Sequence, residues 1–124
     1  MSEPQGRPLG VILCLTALLA LGGCASQNVQ VYEDTGERQC EGGGLTLAES
    51  QARLTKAGIK VRSSACATRT GMAVMAVCGG PTTNIHTHSI NARDLASAQE
   101  LGFEVLDTLV SEEQGTGYEL KPCP

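Results

Sequence analysis

The sequence predicts an α+β domain: two helices on one face of an antiparallel or mixed sheet, stapled by two disulfides, with a ferredoxin-like arrangement as one candidate. Three observations lead there. Two helix–glycine–strand units recur 44 residues apart, and strand-like stretches lie before, between and after them. Four cysteines, Cys40, Cys66, Cys78 and Cys123, are spread through a chain that opens with an export-type leader.

Residues 26–39 are polar, with a Val29-Gln30-Val31-Tyr32 alternation, and read as a tether ending in a short strand. The folded unit is expected to begin at Cys40. Gly42-Gly43-Gly44 punctuates the chain ahead of Thr46-Leu47-Ala48-Glu49, a capping box in which hydroxyl and carboxylate satisfy each other's orphan amides. A helix over Leu47 to Ala57 follows, with Leu47, Gln51, Leu54 and Gly58 on one face. Gly58 stops it, and Ile59 and Val61 alternate with Lys60 and Arg62 as a strand with one wet face.

Met72 to Cys78 is apolar on both faces, as a covered central strand would be, and is expected at the heart of the sheet. Gly79-Gly80-Pro81 turns the chain, and Thr82 to Ile90 reads as a more polar strand. In the second unit Asn91 caps, Ile90 staples onto Leu95, and a helix over Ala92 to Leu101 ends at Gly102 before a strand from Phe103 to Leu106. Aligning the two units pairs Ala48 with Ala92, Ala52 with Ala96, Gly58 with Gly102 and Val61 with Val105. Residues 111–117 read as loop and Tyr118 to Cys123 as a last edge strand.

The leader divides into a polar stretch with one cation, Arg7, an apolar run from Leu9 to Leu21, and Gly22-Gly23 before Cys24. That run of 13 residues is shorter than the roughly 20 a helix needs to cross a bilayer core, so an export signal is the reading. Leu21-Gly22-Gly23-Cys24 resembles the lipobox of bacterial lipoproteins. The resemblance implies cleavage before Cys24, lipid on its sulfur and acylation of the new amino terminus; two or three chains anchor stably where one would not. Ala25 and Ser26, with no Asp after Cys24, resemble the sorting pattern of outer-membrane lipoproteins. The expected organisation is a signal peptide over residues 1–23, a lipidated tether over 24–39 and a disulfide-stapled domain over 40–124.

Four cysteines in an exported domain predict two disulfides. Three connectivities are open, and Cys66 with Cys78 and Cys40 with Cys123 is the one favoured. With one Phe and no Trp the core is light, so covalent staples matter. Spacings of 25, 11 and 44 intervening residues match no compact zinc pattern, and no Cys-x-x-Cys is present for redox catalysis.

Chemistry-bearing candidates are few. His86 and His88, two apart on a strand, point the same way and are the weak candidates for a metal or an anion; as a pair without a third ligand they read as exposed strand histidines. Glu41-Gly42-Gly43-Gly44 reads as a connector rather than an anion nest, because no Walker lysine follows. Ser63, Ser64, Ser89 and Ser97 sit in no nucleophile elbow, and Glu100, Glu104, Glu112 and Glu113 read as solvated charge. Nine Lys plus Arg against 13 Asp plus Glu, with three aromatics, argue against a nucleic-acid partner.

Residues 44–61 resemble the opening helix and strand of PASTA modules, which implies contact with peptidoglycan or a related ligand. The paired cysteines and second helix depart from that family. The expectation is a lipid-anchored, periplasm-facing outer-membrane protein, without catalysis or cofactor, that binds or braces another envelope component, such as a protein. Two alternatives stand beside it: a metal-handling protein or enzyme organised around His86 and His88, and a peptidoglycan-binding lipoprotein.

Overall fold

The structure is a computed structural model that describes residues 27–113 and 115–124. The leader, Cys14 and Cys24 lie outside the described residues. Five strands form one antiparallel sheet: β1 (Asn28–Asp34), β2 (Val61–Arg69), β3 (Asn84–Asn91), β4 (Glu104–Val105) and β5 (Tyr118–Lys121), in the order β4-β1-β3-β2-β5. Helix α1 (Leu47–Lys56) joins β1 to β2, and a 3-10 turn (Ala92–Asp94) running into α2 (Leu95–Glu100) joins β3 to β4. Each helix therefore links two parallel strands that have a third, antiparallel strand between them, and the recurrence 44 residues apart is the sequence trace of these two crossovers. No helix among the described residues is long and apolar enough to cross a membrane.

Local chemistry makes the helices. Thr46 Oγ1 accepts from the Glu49 amide at 3.1 Å, and a Glu49 carboxylate oxygen accepts from the Thr46 amide at 2.7 Å, the capping box expected. Asn91 caps the second unit by accepting from the Arg93 amide at 3.1 Å. The buried stripe of α1 is rotated from the expected one: Ser50 and Leu54 are inside, and Gln51 is exposed.

Residues directly opposed across an antiparallel pair share a face. The ladder therefore puts Val29, Val31, Glu33, Val61, Ser64, Cys66, His86, His88 and Ile90 under the helices. There Val31, Ile90, Leu54, Ile59, Ala98 and Phe103 form the main core. On the other face Tyr32, Ala67, Ile85 and Leu106 form a smaller cluster under the 3-10 turn Leu106–Leu109.

Three expectations about the fold are corrected. The stretch read as tether contains β1, whose Val31, Tyr32 and Glu33 are buried, so the folded unit starts by Asn28 rather than at Cys40. Met72 to Cys78 is not a central strand but part of the β2–β3 connection; Met75 is 82% exposed and Val77 52%. β2 runs on to Arg69 and pairs with β3 up to Thr68 opposite Asn84, leaving that stretch no ladder to join. The polar strand, β3, takes the middle of the sheet instead.

The favoured disulfide pairing is also overturned: the bridges are Cys40–Cys78 and Cys66–Cys123. Cys66 lies opposite Lys121, two residues before Cys123, so pairing of β2 with β5 brings these cysteines to a Cα separation of 5.3 Å. Cys40 tops a tight turn in which Arg38 and Gly42 exchange amide bonds of 3.1 and 2.8 Å. The Gln39 side chain, donating to Met75 and Pro81 carbonyls and accepting from the Val77 amide, binds the β2–β3 connection to that turn and so brings Cys78 to Cys40. Closing loops of 38 and 57 residues is worth about 4 kcal/mol each in the chain-entropy description.

Gly44 passes tightly over the end of β1. A Cβ there would stand 2.4 Å from the Thr35 carbonyl oxygen and 2.6 Å from the Glu37 amide, whereas one at Gly42 would meet nothing within 4 Å. Both have positive φ, so the difference isolates the close approach. Gly42→Ala is expected to cost about 1 kcal/mol of strain, and Gly44→Ala about 2 kcal/mol more, in urea denaturation. Equal costs would contradict the packing of this loop on β1.

Candidate functional site

β3 aims His86 and His88 under α1, with Glu33 and Val31 beside them on β1 and Cys66 and Ser64 on β2. Helix periodicity then puts Ser50, Arg53 and Leu54 on the face that descends onto this band. The sequence reading of His86 and His88 as exposed is corrected: they are 4% and 1% exposed. Strand alternation alone did not say which face was covered.

The polar groups form one connected chain. Ser50 Oγ donates to Glu33 Oε2 at 2.6 Å and lies 2.8 Å from His88 Nε2; Ser64 Oγ lies 2.6 Å from His88 Nδ1. Arg53 pairs with Glu33 Oε1 and also donates to the Leu101 carbonyl. Counting donors sets the tautomer. The Glu33 carboxylate beside a guanidinium only accepts, so it takes the single Ser50 proton. Ser50 must then accept from His88 Nε2–H, which leaves Nδ1 to accept from the Ser64 hydroxyl, 2.6 Å away against 3.3 Å from that hydroxyl to the Gln51 amide oxygen. Among the described residues no buried side-chain nitrogen or oxygen is left without a partner.

Phe103 closes the end of this chain, its ring edge-on to His88 with centroids 5.8 Å apart and the Arg53 guanidinium 5.2 Å above it. Burial, and after it the neighbouring His86 imidazole, holds the His88 pKa down at about 4. His88 is therefore neutral across the physiological range. A serine beside a histidine beside a carboxylate invites comparison with a nucleophilic triad, but Ser50 is fully buried and spends its proton on Glu33. This is bracing for α1, not an attacking group.

His86 is held differently. Its Nε2 lies 2.7 Å from the Leu45 carbonyl, which only accepts, so the proton is on Nε2. Nδ1 faces Cys66 Sγ at 3.9 Å, a sulfur committed to the bridge with Cys123 and so without a proton to give. Among the described residues no three His, Cys, Asp or Glu side chains gather as metal ligands. The two histidines share a face as expected, but both His88 nitrogens and His86 Nε2 point at other partners, not at one common point.

Beside His86 lies a groove of about 520 Å3, between the start of α1 and the segment that follows β5. Leu45, Leu47, Pro122 and Cys123 line it. Asn84 connects its polar rim, donating to Glu37 Oε2 at 2.7 Å while accepting from Lys121 Nζ. Of the residues singled out in the sequence, the four domain cysteines are paired and two of them, Cys66 and Cys123, border this groove. Glu33, Ser50, Arg53 and the groove were missed, and Ser64 was weighed only as a nucleophile. The readable signal was Ser50, a polar residue four before Leu54 on the stripe that α1 buries.

No protein family, curated protein sequence or solved structure matches the chain.

Two outcomes follow for the buried chain. Its folded pKa being lowered, His88 costs stability wherever the unfolded histidine is protonated and the folded one is not. Stability should therefore fall as pH drops from about 6.5 to about 4, by up to about 3 kcal/mol, and His88→Gln should flatten that window in urea denaturation. Ser50→Ala leaves His88 Nε2–H and Glu33 short of a partner and is expected to cost about 1–3 kcal/mol, against less than about 0.5 for exposed Ser97→Ala.

Proposed function

We propose that the chain is an envelope lipoprotein, anchored through lipid on Cys24 and facing the periplasm from the outer membrane, whose domain binds or braces another envelope protein. The observation that carries this reading is the pairing of all four domain cysteines into two bridges, the state favoured by an oxidising compartment. It agrees with the direction in which the export-type leader and its Leu21-Gly22-Gly23-Cys24 sequence point.

The domain reads as a ferredoxin-like βαββαβ unit with β5 added beside β2; the strand order β4-β1-β3-β2 supports this. Its buried ionisable groups are committed to internal partners: Glu33 to Arg53 and Ser50, His88 to Ser50 and Ser64, and His86 to the Leu45 carbonyl. The groove beside His86, partly apolar and rimmed by Glu37 and Lys121, suits an extended peptide segment better than a charged small molecule.

The anchor is tested by fractionation. Wild type should stay with the membrane until detergent is added, and Cys24→Ser should appear in the soluble periplasmic fraction. A Cys24→Ser protein that still needs detergent contradicts the anchor. Co-sedimentation of the domain with purified sacculi, free of other proteins, would move the partner from protein to peptidoglycan.

A further inference from the structure

We propose that Cys66–Cys123 is a thiol-exchange site, in which a thiolate seated in the groove attacks the Cys123 sulfur and Cys66 leaves against His86. Three observations meet here. The two cysteines differ in access: both border the groove, but Cys66 is 3% exposed whereas Cys123 is exposed. An incoming thiol therefore approaches from the Cys123 side. The Cys66 sulfur faces an imidazole nitrogen at 3.9 Å. That nitrogen, His86 Nδ1, carries a lone pair because the Leu45 carbonyl fixes the proton on Nε2, and its nearest partner is a sulfur that has nothing to donate while oxidised.

The step balances with a thiol as co-reactant. The incoming thiol ionises and gives its proton to solvent; its sulfur forms a bond to Cys123 Sγ as the Cys66–Cys123 bond breaks. The electron pair goes to Cys66 Sγ, and one proton returns from solvent to be shared between Cys66 Sγ and His86 Nδ1. The products are a mixed disulfide on Cys123 and a reduced Cys66. The bond exchanges in place of net oxidation until a second thiol attacks the mixed disulfide, freeing Cys123 and leaving the co-reactant as its own disulfide. Exchange is faster when the departing thiolate is stabilised, which is the part given to His86. Reduction also lets Cys66 donate to Nδ1, so the histidine gains in the reduced state a partner it lacks in the oxidised one. His86 is thus a positioning and proton-holding residue. Exchange at this bridge needs the domain alone and not the lipid anchor, so failure of either proposal leaves the other standing.

The test is exchange with glutathione on the purified full chain, quenched with acid, alkylated and mapped by mass spectrometry. The expected first product carries glutathione on Cys123 and the alkyl group on Cys66, with Cys40–Cys78 followed in the same samples as the internal comparison. In His86→Gln, whose amide still reaches toward Leu45 but takes no proton, the step at Cys123 should slow about tenfold while Cys40–Cys78 reacts at its wild-type rate. Glutathione found on Cys66, an unchanged rate in His86→Gln, or opening of both bridges at one common rate in wild type would each overturn the proposal. The regiochemistry and the comparison of the two bridges are read on wild type, so they decide the matter even if the variant folds poorly.

Discussion

A single line of hydrogen bonds, from Ser64 through His88 and Ser50 to Glu33 and Arg53, constrains the rest of this domain. It runs from β2 to β3, passes over Ser50 of α1 to β1, and returns to α1 at Arg53. The apolar core around it is small, with Phe103 its one large aromatic. Dispersion and burial alone give such a core little preference among helix positions. The polar line supplies that preference, because sliding α1 by one residue would strand a carboxylate and an imidazole in a dry interior. Each member has one role only: the guanidinium makes Glu33 an acceptor, which commits the Ser50 proton, which in turn fixes the histidine tautomer.

The same logic explains why the chain was partly legible in sequence. The capping box at Thr46 and Glu49 and the cap at Asn91 act within four residues, so local pattern reveals them. Both helices and the α+β class followed. The order of strands depends instead on contacts distant in sequence, and there hydrophobicity misled. Met72 to Cys78 looks like a buried strand but runs outside the sheet, held by Gln39, while β3, with two histidines and a threonine buried, occupies the centre. Polar residues are tolerated in that strand because each finds a partner on β1, β2 or α1, and no count of apolar residues contains that information. The Val29–Tyr32 alternation marked a short strand, but the burial of β1 was hidden for the same reason: the partners of Glu33 lie far away in the sequence.

The disulfides divide the labour between the two ends of the sheet. Cys40–Cys78 ties the β2–β3 connection to the turn after β1, and Cys66–Cys123 fastens the segment after β5 to β2 at the groove. The pairing favoured from sequence would have stapled the central loop and tied the carboxyl end to the domain start; the sheet register decides it instead, by setting Cys66 opposite Lys121. The outcome places a covalent bond, a buried imidazole and a concave surface together at one edge of the fold. Binding of an envelope partner and exchange at Cys123 would share that surface.

The buried line of hydrogen bonds runs in one fixed direction, and nitrogen-15 NMR of the imidazole rings reads that direction from the tautomer of His88. His88 is expected to give the shifts of a single neutral tautomer with the proton on Nε2 at neutral pH, and to keep them until the sample approaches pH 4. A proton on Nδ1, tautomers in rapid exchange, or titration near the ordinary histidine value of about 6.5 would contradict it.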